Sequence, residues 1–262
     1  GKTGIRAARL DSTKMPFEML PSSFALSFEG SNSTLDGLLK TPKGEIKLAG
    51  AADWRTFGEG KAVVSAKGVS LRVTLPPGVE FDLTTDVRCE ASAELIKLDG
   101  TLELPWARVQ VSELPPSTVE VSDDVVRMDR PRIKKKDRSQ AIPIESNLFI
   151  NIGDDVRVEA MGLKARLTGE LHVVQDKGTL GLTGQVSVPS GQFKAYGQDL
   201  IVRRGEFHFT GAAANPMLDL EAIRNPERTA DDVIAGVRIG GTADFPEVKV
   251  FSDPEMSETE AL

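Results

Sequence analysis

One cysteine, Cys89, stands in 262 residues, so no intrachain disulfide framework and no cysteine metal site can be built. Aromatic side chains are scarce at 11 Phe, two Trp and one Tyr, which argues against the stacking platforms that hold sugars or bases. A positive excess is also lacking. Lys and Arg number 32 against 39 Asp and Glu, a net charge of −7, so no global field exists to hold polyphosphate and a nucleic-acid partner is disfavoured. No apolar run reaches the roughly 20 residues of a membrane-spanning helix, and no basic-then-apolar leader is present. Because the chain starts at Gly1 without Met and stops at Leu262 just after a helix-start signal, it reads as a fragment whose cellular address lies elsewhere.

The motifs of chemistry are missing too. There is no Gly-x-Gly-x-x-Gly, no Walker loop, no Gly-x-Ser-x-Gly elbow and no His-Glu-x-x-His, so no catalytic residue and no cofactor is expected. The two histidines, His172 and His208, sit in strand runs whose neighbours Leu171, Val173, Phe207 and Phe209 point the other way. That places both on a polar face, where surface histidine is the ordinary outcome. Asp154-Asp155 and Asp231-Asp232 read as turn or helix-start carboxylates, and without a recurrent calcium-loop pattern no metal is assigned to them. Asn32-Ser33-Thr34 is a single glycosylation triplet, a weak signal by itself.

What the chain has in abundance is period two. Phe24, Leu26 and Phe28 form one alternating run, Val69, Leu71, Val73 and Leu75 another, and Leu163 to Val173 a third, the pattern of strands with one wet face. About 20 short strands are expected at this spacing, stacking at ~4.8 Å into a body near 90 Å long. Helical spacing is nearly absent. Ser257 three before Glu260 gives a capping box and predicts a short terminal helix, and Asp231 to Ala235 is read as a helical turn. A glycine recurs within the apolar rows, in Leu48-x-Gly50, Leu98-x-Gly100, Leu167-x-Gly169, Leu182-x-Gly184 and Ile239-x-Gly241. Such a glycine eases a bend or bulge and lets a sheet curl.

Between Val121 and Gln140 the strands stop. Within 127–138 of that stretch Arg127, Arg130, Arg132, Lys134, Lys135, Lys136 and Arg138 stand against Asp129 and Asp137; this is a solvated loop or a contact for anionic headgroups or a partner. It divides the chain into a front part (1–122), a charged linker (123–140) and a back part (141–262). Three rows carry no charge or hydroxyl: Leu98 to Leu104, Leu163 to Val173, and Leu180 to Val188, each taken at alternate positions. Lys164, Arg166, Glu170, His172 and Gln185 occupy the other face. Two such sheets could pack as a sandwich, or one long sheet could curl so that its apolar face lines a groove.

From Gly191 the sequence becomes specific: Gly191-Gln-Phe-Lys-Ala-Tyr-Gly-Gln-Asp-Leu-Ile-Val-Arg-Arg-Gly-Glu-Phe-His-Phe-Thr-Gly211, then Asn215 to Pro226, Asp232 to Arg238 and Phe251 to Leu262. With Leu163 to Leu171, Val173-Val-Gln-Asp176, Leu104-Pro-Trp-Ala-Arg108 and Leu114-Pro-Pro116, these stretches resemble the C-terminal domain of the TamB family, densely from about residue 98 to 262. The resemblance implies an all-β protein: a long curled sheet forming an elongated groove with an apolar interior, related in style to AsmA-like and bridge-like lipid-transfer proteins. It implies a periplasmic location tethered to the inner membrane from outside this sequence, and the outer-membrane barrel TamA as partner. It also implies either phospholipid passage between the membranes or assembly of outer-membrane proteins such as autotransporters, with no catalytic residues. On this reading the groove is lined by Leu98, Leu102, Leu104, Leu163, Leu167, Leu171, Val173, Leu180, Leu182, Val186, Val188, Leu218, Leu220, Val237 and Ile239.

Overall fold

The computed structural model describes residues 2–8, 20–55, 60–75, 77–111, 142–160, 162–176, 178–195, 197–226 and 234–254. They form one open sheet whose spatial order is the order of the chain. The front strands are β1 (Lys2–Ala8), β2 (Leu20–Glu29), β3 (Asn32–Lys40), β4 (Glu45–Asp53), β5 (Lys61–Leu75), β6 (Val79–Ala91) and β7 (Ile96–Val111). The back strands are β8 (Ile144–Ala160), β9 (Leu163–Asp176), β10 (Thr179–Ala195), β11 (Gln198–Gly211), β12 (Met217–Arg224), β13 (Ile234–Gly241) and β14 (Pro246–Asp253). Neighbours pair antiparallel except β7 and β8, which run parallel from Ile96 beside Ile144 to Val111 beside Ala160. The sheet is therefore continuous from front to back, and it does not close into a barrel.

Among the described residues fourteen strands stand where about twenty short ones were expected, because the central ones run 13 to 17 residues. Their stack measures about 60 Å along the hydrogen-bonding direction at ~4.8 Å per strand, not 90 Å. The helical turn expected over 231–235 is overturned where it can be seen: Ile234 and Ala235 open β13. An acidic pair offers capping chemistry, but the alternation Ala235, Val237, Ile239 suits a strand. The expected terminal helix around Ser257 and Glu260, and the basic run 127–138, lie outside the described residues. Asp154 and Asp155 sit within β8, not at a turn, because an irregularity in that strand gives Asp155 arginine partners.

Among the described residues no second layer covers this sheet. Every substantial contact between elements joins adjacent strands, which excludes the sandwich. Correspondingly, few residues are buried: among the described residues Leu71, at 3% exposed, is the most enclosed large apolar side chain. No described helix is long and apolar enough to cross a membrane.

Candidate functional site

Side chains directly opposite one another on paired strands share a face, so the registers can be followed across the whole sheet. One row runs Phe24, Gly37, Leu48, Ala66, Val87, Gly100, Leu148, Val173, Leu182, Gly211. It crosses β2 to β11 without one polar side chain. A second runs Leu75, Val79, Val109, Val158, Ala165, Gly191, Val202, Ala222, Val237, Val250, from β5 to β14. It too is wholly apolar. Both rows are at least half-buried apart from Leu75, although no described element packs above them. The alternate row through Ala25, Asp36, Ala49, Ser65, Arg88, Asp99 and Asn147 is mostly exposed. The side chains of the apolar face shield one another because the sheet curls.

Keeping these rows unbroken requires corrections to strict alternation. Register shifts fall at Gly68/Leu71 in β5, Asp82/Thr84 in β6, Leu104/Trp106 in β7, Ile152/Val156 in β8, Ser187/Ser190 in β10 and Val202/Arg204 in β11. Paired strand by strand, they align into a crease across the sheet. At the crease β7 exchanges even for odd inward positions, so Leu104 and Ala107 lie on the same face. β10 does likewise between Val186 and Gly191. Val69 falls at the shift and is 64% exposed, which removes it from the row in which alternation had put it.

Glycine allows the strands to approach closely beside the crease. A Cβ on Gly184 (φ +121°) would lie 2.2 Å from the carbonyl oxygen of Glu170, and one on Gly169 2.2 Å from that of Gln185. No L side chain fits either place. Gly241, by contrast, ends β13 and serves the turn into β14.

On the other face a charged ladder spans the crease. Asp82, with a side chain 8% exposed, accepts from Arg72 Nε at 2.5 Å and pairs with Lys43. Arg72 and Arg108 lie over the Trp106 ring at 3.9 and 4.8 Å. Arg108 donates to both carboxylate oxygens of Asp155 at 3.0 Å. Burial pushes the Asp82 carboxyl up, but hydrogen bonds from Arg72 and Lys43 outweigh it and hold the group below the usual carboxylate range. Hydrogen bonding from Arg108 lowers Asp155 in the same way. The histidines are on this face as well: His172 stacks on Phe149 at 4.3 Å and meets Asn147 Oδ1 at 2.6 Å, and His208 lies 3.2 Å from Glu206.

The registers bring the sequence-derived wall residues onto the apolar face. Leu98 is beside Cys89, Leu102 beside Ile150, which is in turn beside Leu171, Leu104 beside Ile152, and Leu167 beside Val156. Leu163 meets Phe193, Val173 meets Leu182, and Val186 and Leu218 flank Phe207. Leu220 joins Gly205 to Ile239, Val237 faces Ala222, and Val188 packs where Gly205 has no side chain. Leu180 is at the rim, opposite Gln175 and 53% exposed. Sequence reasoning missed Leu148, Ile150, Ile152, Val156 and Val158 of β8, whose alternation was visible but blurred by Phe149 on the opposite face. It also missed Ala107 and Val109, which reach the wall only through the crease.

A single sheet, open at both edges among the described residues, curled, and crossed on one face by two unbroken apolar rows, defines a β-groove protein. The family profile described as the TamB C-terminal domain matches residues 36–262. The chain belongs to the TamB family. It is also similar to the translocation and assembly module subunit TamB of Haemophilus influenzae (strain ATCC 51907 / DSM 11121 / KW20 / Rd), at 37% identity over 272 residues. That match takes in all of this chain and 21% of the relative, so the chain spans about a fifth of that protein's length. The family match begins at residue 36, well before the stretch near 98 where the motifs become dense.

Proposed function

We propose that this chain is a section of a hydrophobic conduit through which phospholipids pass between the inner and outer membranes. In this reading it stands in the periplasm of a Gram-negative envelope, held to the inner membrane from outside this sequence and joined to the outer-membrane barrel TamA. The observation that carries the reading is the pair of apolar rows, each crossing ten strands. They run perpendicular to the strands, along the length of the groove. An acyl chain moved through water exposes about 16 methylenes at ~0.8 kcal/mol each, so a path must offer apolar contact at every step, and these rows do. Headgroups would remain at the open side of the groove.

The test is photo-crosslinking in cells from Leu171, Val186 and Leu220 on the apolar face, with Thr183 on the other face as reference. Phospholipid adducts at the first three and not at Thr183 are expected. Adducts to unfolded barrel proteins without lipid would overturn the conduit. They would favour the second reading, assembly of outer-membrane proteins including autotransporters. One feature supports that alternative: β14 has no further strand beside it among the described residues, and Val248 and Phe245 near it are 61% and 81% exposed. Such an edge can accept a client strand.

A further inference from the structure

The face away from the apolar rows carries an arrangement that sheet stability does not explain. The registers set Arg108 directly opposite Arg157, and Arg157 directly opposite Arg166, on β7, β8 and β9. Ser190 of β10 continues the row. Like charges in opposed positions on neighbouring strands are unfavourable. One carboxylate serves the first two: Asp155 accepts from Arg108 Nη2 at 3.0 Å and from Arg157 Nε at 3.1 Å. Arg108 is further committed to the Trp106 ring and to the carbonyl oxygens of Ala107 and Asp155. Lys164, one position along, is neutralised by Glu159 at 2.7 Å. Arg166 is exposed and has no hydrogen-bond or ion-pair partner among the described residues. These side chains line an open cleft of about 1130 Å³ whose lining also includes Gln192 and Asn225 and the apolar Val158, Ala165 and Ile201.

We propose that this arginine row is an anion site whose ligand is a phosphate group, held between the guanidinium forks of Arg157 and Arg166. Two forks on strands about 4.8 Å apart suit one tetrahedral anion with several charged oxygens, each fork giving two donors. The rest of the chain favours a small ligand over an extended acidic partner. With a net charge of −7, the protein repels a long polyanion, while the local row still attracts a single phosphate. The site is on the opposite face from the wall and does not depend on the conduit reading.

Isothermal titration of the full chain with inorganic phosphate, glycerol 3-phosphate and monomeric short-chain phosphatidylglycerol tests the assignment. Saturable binding that weakens with salt is expected from at least one probe. Arg166→Gln should weaken it at least tenfold, and Arg166→Lys less, since charge remains and the fork is lost. Arg88→Gln, which removes an exposed outer-face arginine already paired with Glu90, should leave binding unchanged. Binding of inorganic phosphate or glycerol 3-phosphate without the lipid identifies a soluble phosphate as ligand, and binding of the lipid alone identifies a headgroup. The proposal is overturned if no probe binds, or if Arg166→Gln, shown folded by circular dichroism, binds as the parent does.

Discussion

The central strands and the flanking strands solve the same problem differently. β3, β4, β13 and β14 are eight or nine residues long, and the pairs β3–β4, β4–β5, β12–β13 and β13–β14 keep one register throughout. Between β5 and β10 the strands reach 13 to 17 residues, and each adjacent pair from β5–β6 to β9–β10 carries a shift. Twist accumulates along a strand, so a long ladder must bend or lose its pairing; the shifts at Arg6/Ala8, Leu20/Ser23 and Val202/Arg204 carry the same line into β1–β3 and β11–β12, while β3–β5 and β12–β14 pair without one. The crease is that bend. Ser70 (φ +52°) in β5, Pro105 in β7 and Pro189 in β10 mark where the ladder yields, and the Asp82 and Asp155 clusters fasten the opposite face over it.

If the centre depends on close approach and the flanks do not, glycine replacements should separate them most. Gly184→Val drives a Cβ to within 2.2 Å of backbone and should cost more than about 3 kcal/mol, lowering the urea midpoint drastically. Gly30→Ala, at the β2–β3 turn with nothing within 4 Å of the new atom, should cost only about 1 kcal/mol. Similar midpoints for the two would end the distinction. Next in size is an effect on function with the fold retained. Leu182→Arg places a charge in the wall, where a snorkelling head interrupts the row, whereas Thr183→Arg points to the exposed face. Complementation of outer-membrane integrity should fail for the first and succeed for the second, with both proteins equally abundant and equally resistant to protease.

Smaller effects test the fastening. Asp82→Asn should lose about 1–3 kcal/mol, since two cations are left without their carboxylate. Because its folded pKa lies below that of the unfolded chain, the stabilisation is complete above about pH 4 and disappears as pH falls through the folded value. A urea series across that window should slope less steeply in the Asn variant. Arg238→Gln in β13 removes the main hydrogen bond that holds Glu221 low. Arg238 is 59% exposed and Arg203 also serves Glu221, so about 0.5 kcal/mol is expected, with the same acid direction. An effect as large as that of Asp82→Asn would mean the flanks are fastened as firmly as the centre.

The one-sided character of Leu163 to Val173 and the glycines at 100, 169 and 184 were legible because period two and a missing side chain are local properties. Which residues follow Leu104 or Val186 on the wall was not, since a bulge is fixed by the partner strand and leaves no local mark. Asp155 was read as a turn residue because its partner Arg108 is 47 residues away in sequence. Ile234 and Ala235 read as a helical turn in the sequence because cap chemistry at Asp231-Asp232 outweighs a short alternation. Strand number was overestimated for a related reason: Gly and Pro inside β7, β8 and β10 look like ends of strands and are points where a strand bends and continues.

The parallel step between β7 and β8 bears on how this sheet comes into being. Every back-strand pairing, and each from β2–β3 to β6–β7, joins segments that follow one another closely in sequence, so the contact order of those pairings is low for an all-β protein. Two series of hairpins can zip independently, each strand templating the next. Joining Ile96 to Ile144 must close a much longer stretch of chain, residues 97–143, at a greater entropy cost. That single closure should set the rate at which the two halves become one sheet, and slowing it should yield an intermediate in which both halves are formed and unjoined.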